Sequence, residues 1–235
     1  MSPPDTQAPR ILIIGASRGL GHAMAANLLA LGWKVTGTVR GASTPLHALA
    51  DAHPGRVDIE TVDVALGEDI DALRSRLSHR RFDILFVNAG TTNPDPSQTI
   101  GEVSTEDFTD LMITNALGPM RAVERLADLV PPDGLIAVMS SGQGSIADNE
   151  SGQRELYRGT KAALNQFMRC YAARQRGTPR ALLLMAPGWV RTELGGPGGR
   201  LSIEESVPGV VEVLLAKRGR PGLEYLDYQG RTVRW

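Results

Sequence analysis

The chain has 235 residues, of which 42 % are apolar and 22 % charged, and its 25 basic and 26 acidic side chains leave a formal net charge of −1. That balance argues against a nucleic-acid or acidic-lipid partner. A single cysteine, Cys170, excludes an internal disulfide, and no apolar run reaches membrane-spanning length. Aromatic residues are only 5 %, so a core would be built from small and branched aliphatics, which suits a parallel sheet under close-packed helices.

Residues 1–10 are polar and proline-rich, without the charged start and apolar run of a signal peptide. Residues 1–9 are read as a flexible tail, and 10–235 as one dinucleotide-binding catalytic domain, soluble and cytoplasmic. Residues 11–14 form an aliphatic strand that ends at glycine. Residues 20–31 form a helix, with Leu20, Met24, Leu28 and Leu31 at helical spacing and Gly32 as its stop. Strands follow at 34–39 and 58–64, a helix at 70–77 and a strand at 84–87. A long helix is expected over 108–130, stopping before Pro131 and Pro132. Then come a strand at 135–139, a second long helix over 157–176 ending at Gly177, and a strand at 181–185. Strands alternating with helices predict βαβ units, hence an α/β, doubly wound parallel sheet of the Rossmann type. The glycine-rich stretch 195–199 predicts a flexible loop near the site.

The first strand runs through Gly15, Ala16, Ser17, Arg18, Gly19, Leu20 and Gly21 directly into a helix. Glycines there permit a tight turn and close approach of backbone to a pyrophosphate, which the helix N-terminus then attracts. Strand before and helix after make the match a dinucleotide site rather than an incidental turn. An NAD site places an acid at the end of the second strand to hold the ribose 2′-hydroxyl. Here Val39 occupies that position and Arg40 follows it, while Arg18 lies within the loop. Two guanidiniums with no opposing carboxylate suit a 2′-phosphate, so NADP(H) is expected ahead of NAD(H).

Tyr157 and Lys161 are four apart on a helix and share a face. A phenol with an ordinary pKa near 10 is a poor proton shuttle at neutral pH. A neighbouring ammonium would lower that value and make Tyr157 a usable general acid. Ser140 and Ser141 close the fifth strand, where a hydroxyl can bond a substrate oxygen. The four histidines have no metal-ligand spacing with acids or the cysteine.

These motifs, with Val62, Asp63 and Val64, with Asn88, Ala89 and Gly90, and with Asn115, Met139, Pro187 and Gly188, resemble the short-chain dehydrogenase/reductase family over nearly the whole chain. A closer likeness, to the C-factor and sniffer-type carbonyl reductases, rests on residues 144–146, 157–165, 187–192, 204–206 and 226–228. The resemblance implies that Asp63 holds the adenine amino group with Val64 beside the ring. It places Asn88, Ala89 and Gly90 along the adenosine ribose and Pro187, Gly188, Val190 and Thr192 at the nicotinamide. It gives Lys161 the nicotinamide ribose and Asn115 a water that links Lys161 to solvent. Ser141 aligns with the catalytic serine, and Ser140 remains the alternative. The implied reaction is hydride transfer from NADPH to an aldehyde or ketone, with Tyr157 as proton donor. The same residues would serve an alcohol or dihydrodiol dehydrogenase working in the oxidative direction. A cofactor-binding signalling protein of the C-factor type is a third reading. The resemblance also implies a homodimer or homotetramer in which the two long helices pair.

The chain departs from the family's pattern in two places. Ser141 and Tyr157 lie 16 residues apart, a longer interval than the family norm, and Glu155 stands where those relatives often carry an aromatic residue. The intervening loop is expected to border the substrate, so a relative's substrate does not transfer to this chain.

Overall fold

The computed structural model describes residues 8–235, so residues 1–7 of the expected tail lie outside the described residues. Seven strands are formed: β1 (Arg10–Ile14), β2 (Lys34–Val39), β3 (Val57–Thr61), β4 (Ile84–Val87), β5 (Leu135–Met139), β6 (Ala181–Ala186) and β7 (Gly222–Asp227). Seven α-helices accompany them: α1 (Gly19–Ala30), α2 (Pro45–Ala52), α3 (Gly67–Leu77), α4 (Thr105–Met112), α5 (Gly118–Leu126), α6 (Glu155–Arg174) and α7 (Ile203–Lys217). The strands make one parallel sheet in the order β3-β2-β1-β4-β5-β6-β7.

The period of two along β1 sends successive side chains to opposite faces. Ile11 and Ile13 pack with Met24 and Leu28 of α1 and with Val210 and Leu214 of α7. Leu12 and Ile14 pack with Ile70 and Leu73 of α3, Val123 of α5 and Leu164 and Met168 of α6. Both faces are therefore covered, which is why the strands read as unbroken aliphatic runs. None of the helices among the described residues is long and apolar enough to cross a membrane.

The long helix expected over 108–130 is interrupted. Ser104 caps α4, its hydroxyl accepting from the Asp107 amide at 3.0 Å, so the helical run begins earlier than expected. Ile113–Leu117 then form a wider, π-helical turn before α5, and Ala127–Leu129 tighten to a 3₁₀ turn. Pro119 explains the first break. It has no amide hydrogen for the carbonyl of Asn115, four residues earlier, so the α-helical ladder cannot run through. At Gly118 an added Cβ would lie 2.4 Å from the Val64 carbonyl oxygen, so glycine lets α5 approach the turn after β3.

Helices α2 and α7 and strand β7 have no counterpart among the expected elements. Thr44 and His47 form a capping box that starts α2, and Ser202 with Glu205 does the same for α7. Strand β3 ends at Thr61, so Val62, Asp63 and Val64 fall in the turn after it rather than within the strand. The segment 195–199 is a loop, as expected, and two of its glycines, Gly195 and Gly199, are closely packed. The Gly195 amide donates to Thr192 Oγ1 at 3.0 Å, and a Cβ at Gly199 would lie 2.5 Å from the Arg191 amide nitrogen.

Candidate active site

Sheet order reverses between β1 and β4, and a crevice beyond their carboxyl ends is where such folds bind ligands. The glycine loop is fixed there by three hydrogen bonds, two to Thr38 and one from Asn88. The Gly15 amide donates to Thr38 Oγ1 at 2.9 Å, the Ala16 amide to the Thr38 carbonyl at 2.8 Å, and Asn88 Nδ2 to the Gly15 carbonyl at 2.7 Å. Gly15 has φ +89°, and a Cβ on it would lie 2.9 Å from the Ala89 backbone. At Gly21 a Cβ would lie 2.1 Å from the Gly15 carbonyl oxygen, so only glycine at 21 lets α1 start this close to the loop. The first turn of α1 carries no acidic residue and no side-chain cap, which leaves its amides available to an anion. Ser17 and Leu20 lie half-buried along this loop.

The two arginines stand at the surface of the crevice. Arg18 is 64 % exposed and pairs with Glu193 at 2.6 Å; Arg40 is 70 % exposed and lies 3.8 Å from Asp63. Val39 is buried and can offer no carboxylate to a ribose. Asp63 shapes its own turn, its Oδ1 accepting from the Ala65 amide at 2.9 Å. Val64 is buried beside it. Pro187, Gly188, Val190 and Thr192 leave the carboxyl end of β6, where the Pro187 carbonyl accepts from the buried Ser206 hydroxyl at 2.7 Å. Val190 bridges to Leu201 and so braces this segment.

Tyr157 and Lys161 both lie buried on α6, one turn apart. Lys161 Nζ donates to the Met139 carbonyl at the end of β5, at 3.0 Å. A Cβ at Gly90 would lie 3.3 Å from Asn115 Oδ1, a tight contact, and 3.5 Å from Lys161 Nζ, an ordinary one. Asn115 is fully buried and clamps the segment after β4. Its Oδ1 accepts from the Thr91 amide at 2.8 Å, while its Nδ2 donates to the Thr91 carbonyl at 2.9 Å and to Thr160 Oγ1 at 3.1 Å. The Thr160 hydroxyl in turn donates to the Tyr157 carbonyl at 2.8 Å. Asn115, Lys161 and the end of β4 are thus brought together.

The serine pair divides by role. Ser140 is buried, and its hydroxyl donates to Asn165 Oδ1 at 2.6 Å. The Ser141 hydroxyl accepts from the Gln143 amide at 3.1 Å, and it lowers the Tyr157 pKa. With Ser140 taken up by Asn165, Ser141 is the hydroxyl of the pair left to face Tyr157.

The electrostatics correct one expectation. Burial raises the Tyr157 pKa above its ordinary value, while the Ser141 hydroxyl and the Arg154 guanidinium pull it the other way. Lys161 does not supply the expected lowering. Its ammonium is turned to the Met139 carbonyl, 5.9 Å from the Tyr157 ring centre, and burial pushes its own pKa down to about 8. The nearer cation is Arg154, which sequence reading missed, with its guanidinium carbon 4.9 Å from the ring centre. Glu155, set aside as a departure from the family pattern, accepts from the Ile100 amide at 2.8 Å. Tyr225 was also missed: its hydroxyl donates to the Ser141 carbonyl from β7. No spacing marks either Arg154 or Tyr225, because each meets the site through a loop or a distant strand.

A family model described as short chain dehydrogenase matches residues 9–198. The chain belongs to the short-chain dehydrogenase family. This short-chain dehydrogenase is similar to a Burkholderia multivorans protein described as a short-chain dehydrogenase/reductase and solved with bound NADP. They are 75 % identical at a TM-score of 0.97, over 97 % of this chain and 100 % of that one. A carbonyl reductase from Pseudomonas aeruginosa PAO1, solved in complex with NADP, is 35 % identical at a TM-score of 0.90, again over 97 % and 100 % of the two chains. The C-signal of Myxococcus xanthus is 33 % identical over 155 residues, which are 65 % of this chain and 92 % of that protein.

Proposed function

We propose that this short-chain dehydrogenase reduces an aldehyde or ketone with NADPH. The observation that carries the reading is the placement of Tyr157 and Lys161, one turn apart and buried on α6, with Lys161 bonded to the end of β5 that Ser141 follows, beside a glycine loop with open helix amides. The Burkholderia protein with bound NADP and the Pseudomonas carbonyl reductase support both the cofactor and the reaction class.

The residues present fit the cofactor. The bare backbone of the loop admits a pyrophosphate against the α1 N-terminus. Arg18 and Arg40 each lie near a carboxylate, Glu193 and Asp63, contrary to the expectation of none, but both are exposed and could turn to a 2′-phosphate, while Asp63 and Val64 would take the adenine. With the cofactor bound, Asn88, Ala89 and Gly90 would border the adenosine ribose, Pro187, Gly188, Val190 and Thr192 would border the nicotinamide, and Lys161 would hold the nicotinamide ribose. When bound, NADPH supplies a hydride to the carbonyl carbon.

The chain's own residues handle the oxygen and its proton. Ser141 donates a hydrogen bond to the carbonyl oxygen and stabilises the negative charge that develops on it. Tyr157 gives that oxygen its proton. Lys161, poised near pH 8, returns a proton to Tyr157. The side chain of Asn115 is consumed by Thr91 and Thr160, so any water in the relay would rest on its main-chain carbonyl. That carbonyl is denied its usual helical partner, because Pro119 has no hydrogen to donate.

Titration of the purified protein with NADPH and NADH, following fluorescence, tests the cofactor assignment. Wild type is expected to prefer NADPH by about tenfold or more, and Arg40→Ala to lose most of that preference, the worth of one charge-assisted contact. Equal affinities in wild type, or a preference for NADH, would overturn it.

A further inference from the structure

Arg154, at the N-cap of α6, is the one non-glycine residue with a left-handed backbone among the described residues, at φ +59°. Glycine would be at ease there and arginine is not, so the side chain is held in place against a conformational cost. Its guanidinium sits over the Tyr157 ring, and Nη2 donates to Thr92 Oγ1 at 3.2 Å. Its Nε is buried with no hydrogen-bond partner. Among the described residues no carboxylate forms an ion pair with it. The adjacent Glu155 could have done so but turns to the Ile100 amide instead.

A half-buried cation without a counter-charge is costly, and such groups are normally paired with one another or with a ligand. The other groups around the phenol cannot fill that need. Lys161 is a second cation, withdrawn to the Met139 carbonyl; Ser141 is neutral; Tyr225 lies behind the Ser141 carbonyl. The guanidinium's planar fork matches a carboxylate, and Thr92 anchors it from the segment after β4.

We propose that Arg154 is a specificity-determining residue that binds a carboxylate of the substrate. This rests on the carbonyl-reductase reading and narrows it to short oxo acids. The guanidinium carbon lies 4.9 Å from the ring of Tyr157, so an anion on Arg154 leaves a carbonyl a few carbons away at the phenol.

The test is calorimetric binding of pyruvate, levulinate and benzoylformate, each against its neutral amide, to the protein loaded with NADP⁺. Two variants accompany wild type. Arg154→Gly suits the left-handed backbone and so does not endanger folding, and Arg154→Lys keeps the charge without the fork. Wild type is expected to bind at least one acid about tenfold tighter than its amide. In Arg154→Gly the preference falls to about twofold or less, and Arg154→Lys retains part of it. A wild type that binds no acid better than its amide overturns the proposal. So does an Arg154→Gly variant that keeps the preference or loses acid and amide equally.

NADPH oxidation with the same compounds separates the two readings. A carboxylate preference that depends on Arg154, without turnover of any carbonyl, supports the anion site and contradicts the reductase. Turnover of neutral aldehydes and ketones without carboxylate preference does the reverse.

Discussion

Lys161 shows how one buried contact changes the meaning of a motif. The four-residue spacing from Tyr157 is plain in the sequence, and it places both side chains on one face of α6. The spacing does not reveal what Nζ meets. It meets the Met139 carbonyl, and burial drops its pKa to about 8 from the ordinary 10.5. The folded chain therefore holds this proton less tightly than the unfolded chain. Above pH 8 the native state releases it first, so the cost of burying the charge is relieved as pH rises toward 10.5. Tyr157 acts in the opposite sense above pH 10, where its raised pKa lets the unfolded chain ionise first. The window in which Lys161 acts alone is pH 8 to 10. Over it the cofactor-free wild type is expected to gain stability relative to Lys161→Met, by at most about 1.4 kcal/mol per pH unit. Chemical denaturation at several pH values measures that difference, and a difference flat in pH would contradict the buried, depressed lysine.

Strand β7 acts as an element through what it holds. The Tyr225 hydroxyl, its pKa pushed up to about 12 by burial, donates to the Ser141 carbonyl. Trp235 packs tilted on the Tyr225 ring at 5.4 Å, and its carbonyl accepts from the Ala147 amide at 3.0 Å. The loop that begins at Ser141 is thereby fastened at its start and near its middle. Tyr225→Phe keeps the ring and removes only the hydroxyl, leaving the Ser141 carbonyl without that partner. It is expected to lower the free energy of unfolding by about 1–3 kcal/mol, measured by denaturant titration. No loss would mean that the carbonyl finds water instead.

None of this was legible along the chain, because the interior of β7 mixes Glu224 and Tyr225 with its leucines and carries no clean period. Strands β1, β4, β5 and β6 were legible because they are buried on both faces and hence continuously aliphatic. Helix α7 was hidden by Pro208 and Gly209, which read as breakers. It forms because Val207, Val210, Val211 and Leu214 are buried against the sheet. Gly209 is needed there, since a Cβ would lie 2.3 Å from the Tyr228 carbonyl oxygen. Helix α2 has only Leu46 buried, too little for a periodic signal. The π-helical turn at Ile113–Leu117 escaped because helical apolar spacing continues on both sides of it.

At the scale of the molecule, the candidate site is the point where sheet order reverses. The ends of β1 and β4 provide the glycine loop and the segment from Asn88 to Asn115's partner Thr91. The ends of β5 and β6 provide Ser141 and the stretch from Pro187 to Thr192. Helix α6 brings Tyr157 and Lys161 across to them. Residues far apart in sequence therefore converge through the parallel register, and the family resemblance was legible because each strand end carries its own short motif. The substrate was not legible, because the residue facing Tyr157 that would choose it, Arg154, sits on a loop with no motif.

The most direct test of the whole reading is the rate of NADPH oxidation with a panel of aldehydes and ketones, for wild type and for Tyr157→Phe. Wild type is expected to turn over at least one of them. Tyr157→Phe is expected to bind NADPH within about threefold of wild type and to lose about 10²- to 10⁴-fold in rate, the usual worth of a positioned proton donor. Undiminished turnover by Tyr157→Phe, or a wild type that binds NADPH yet reduces none of the panel, would contradict it.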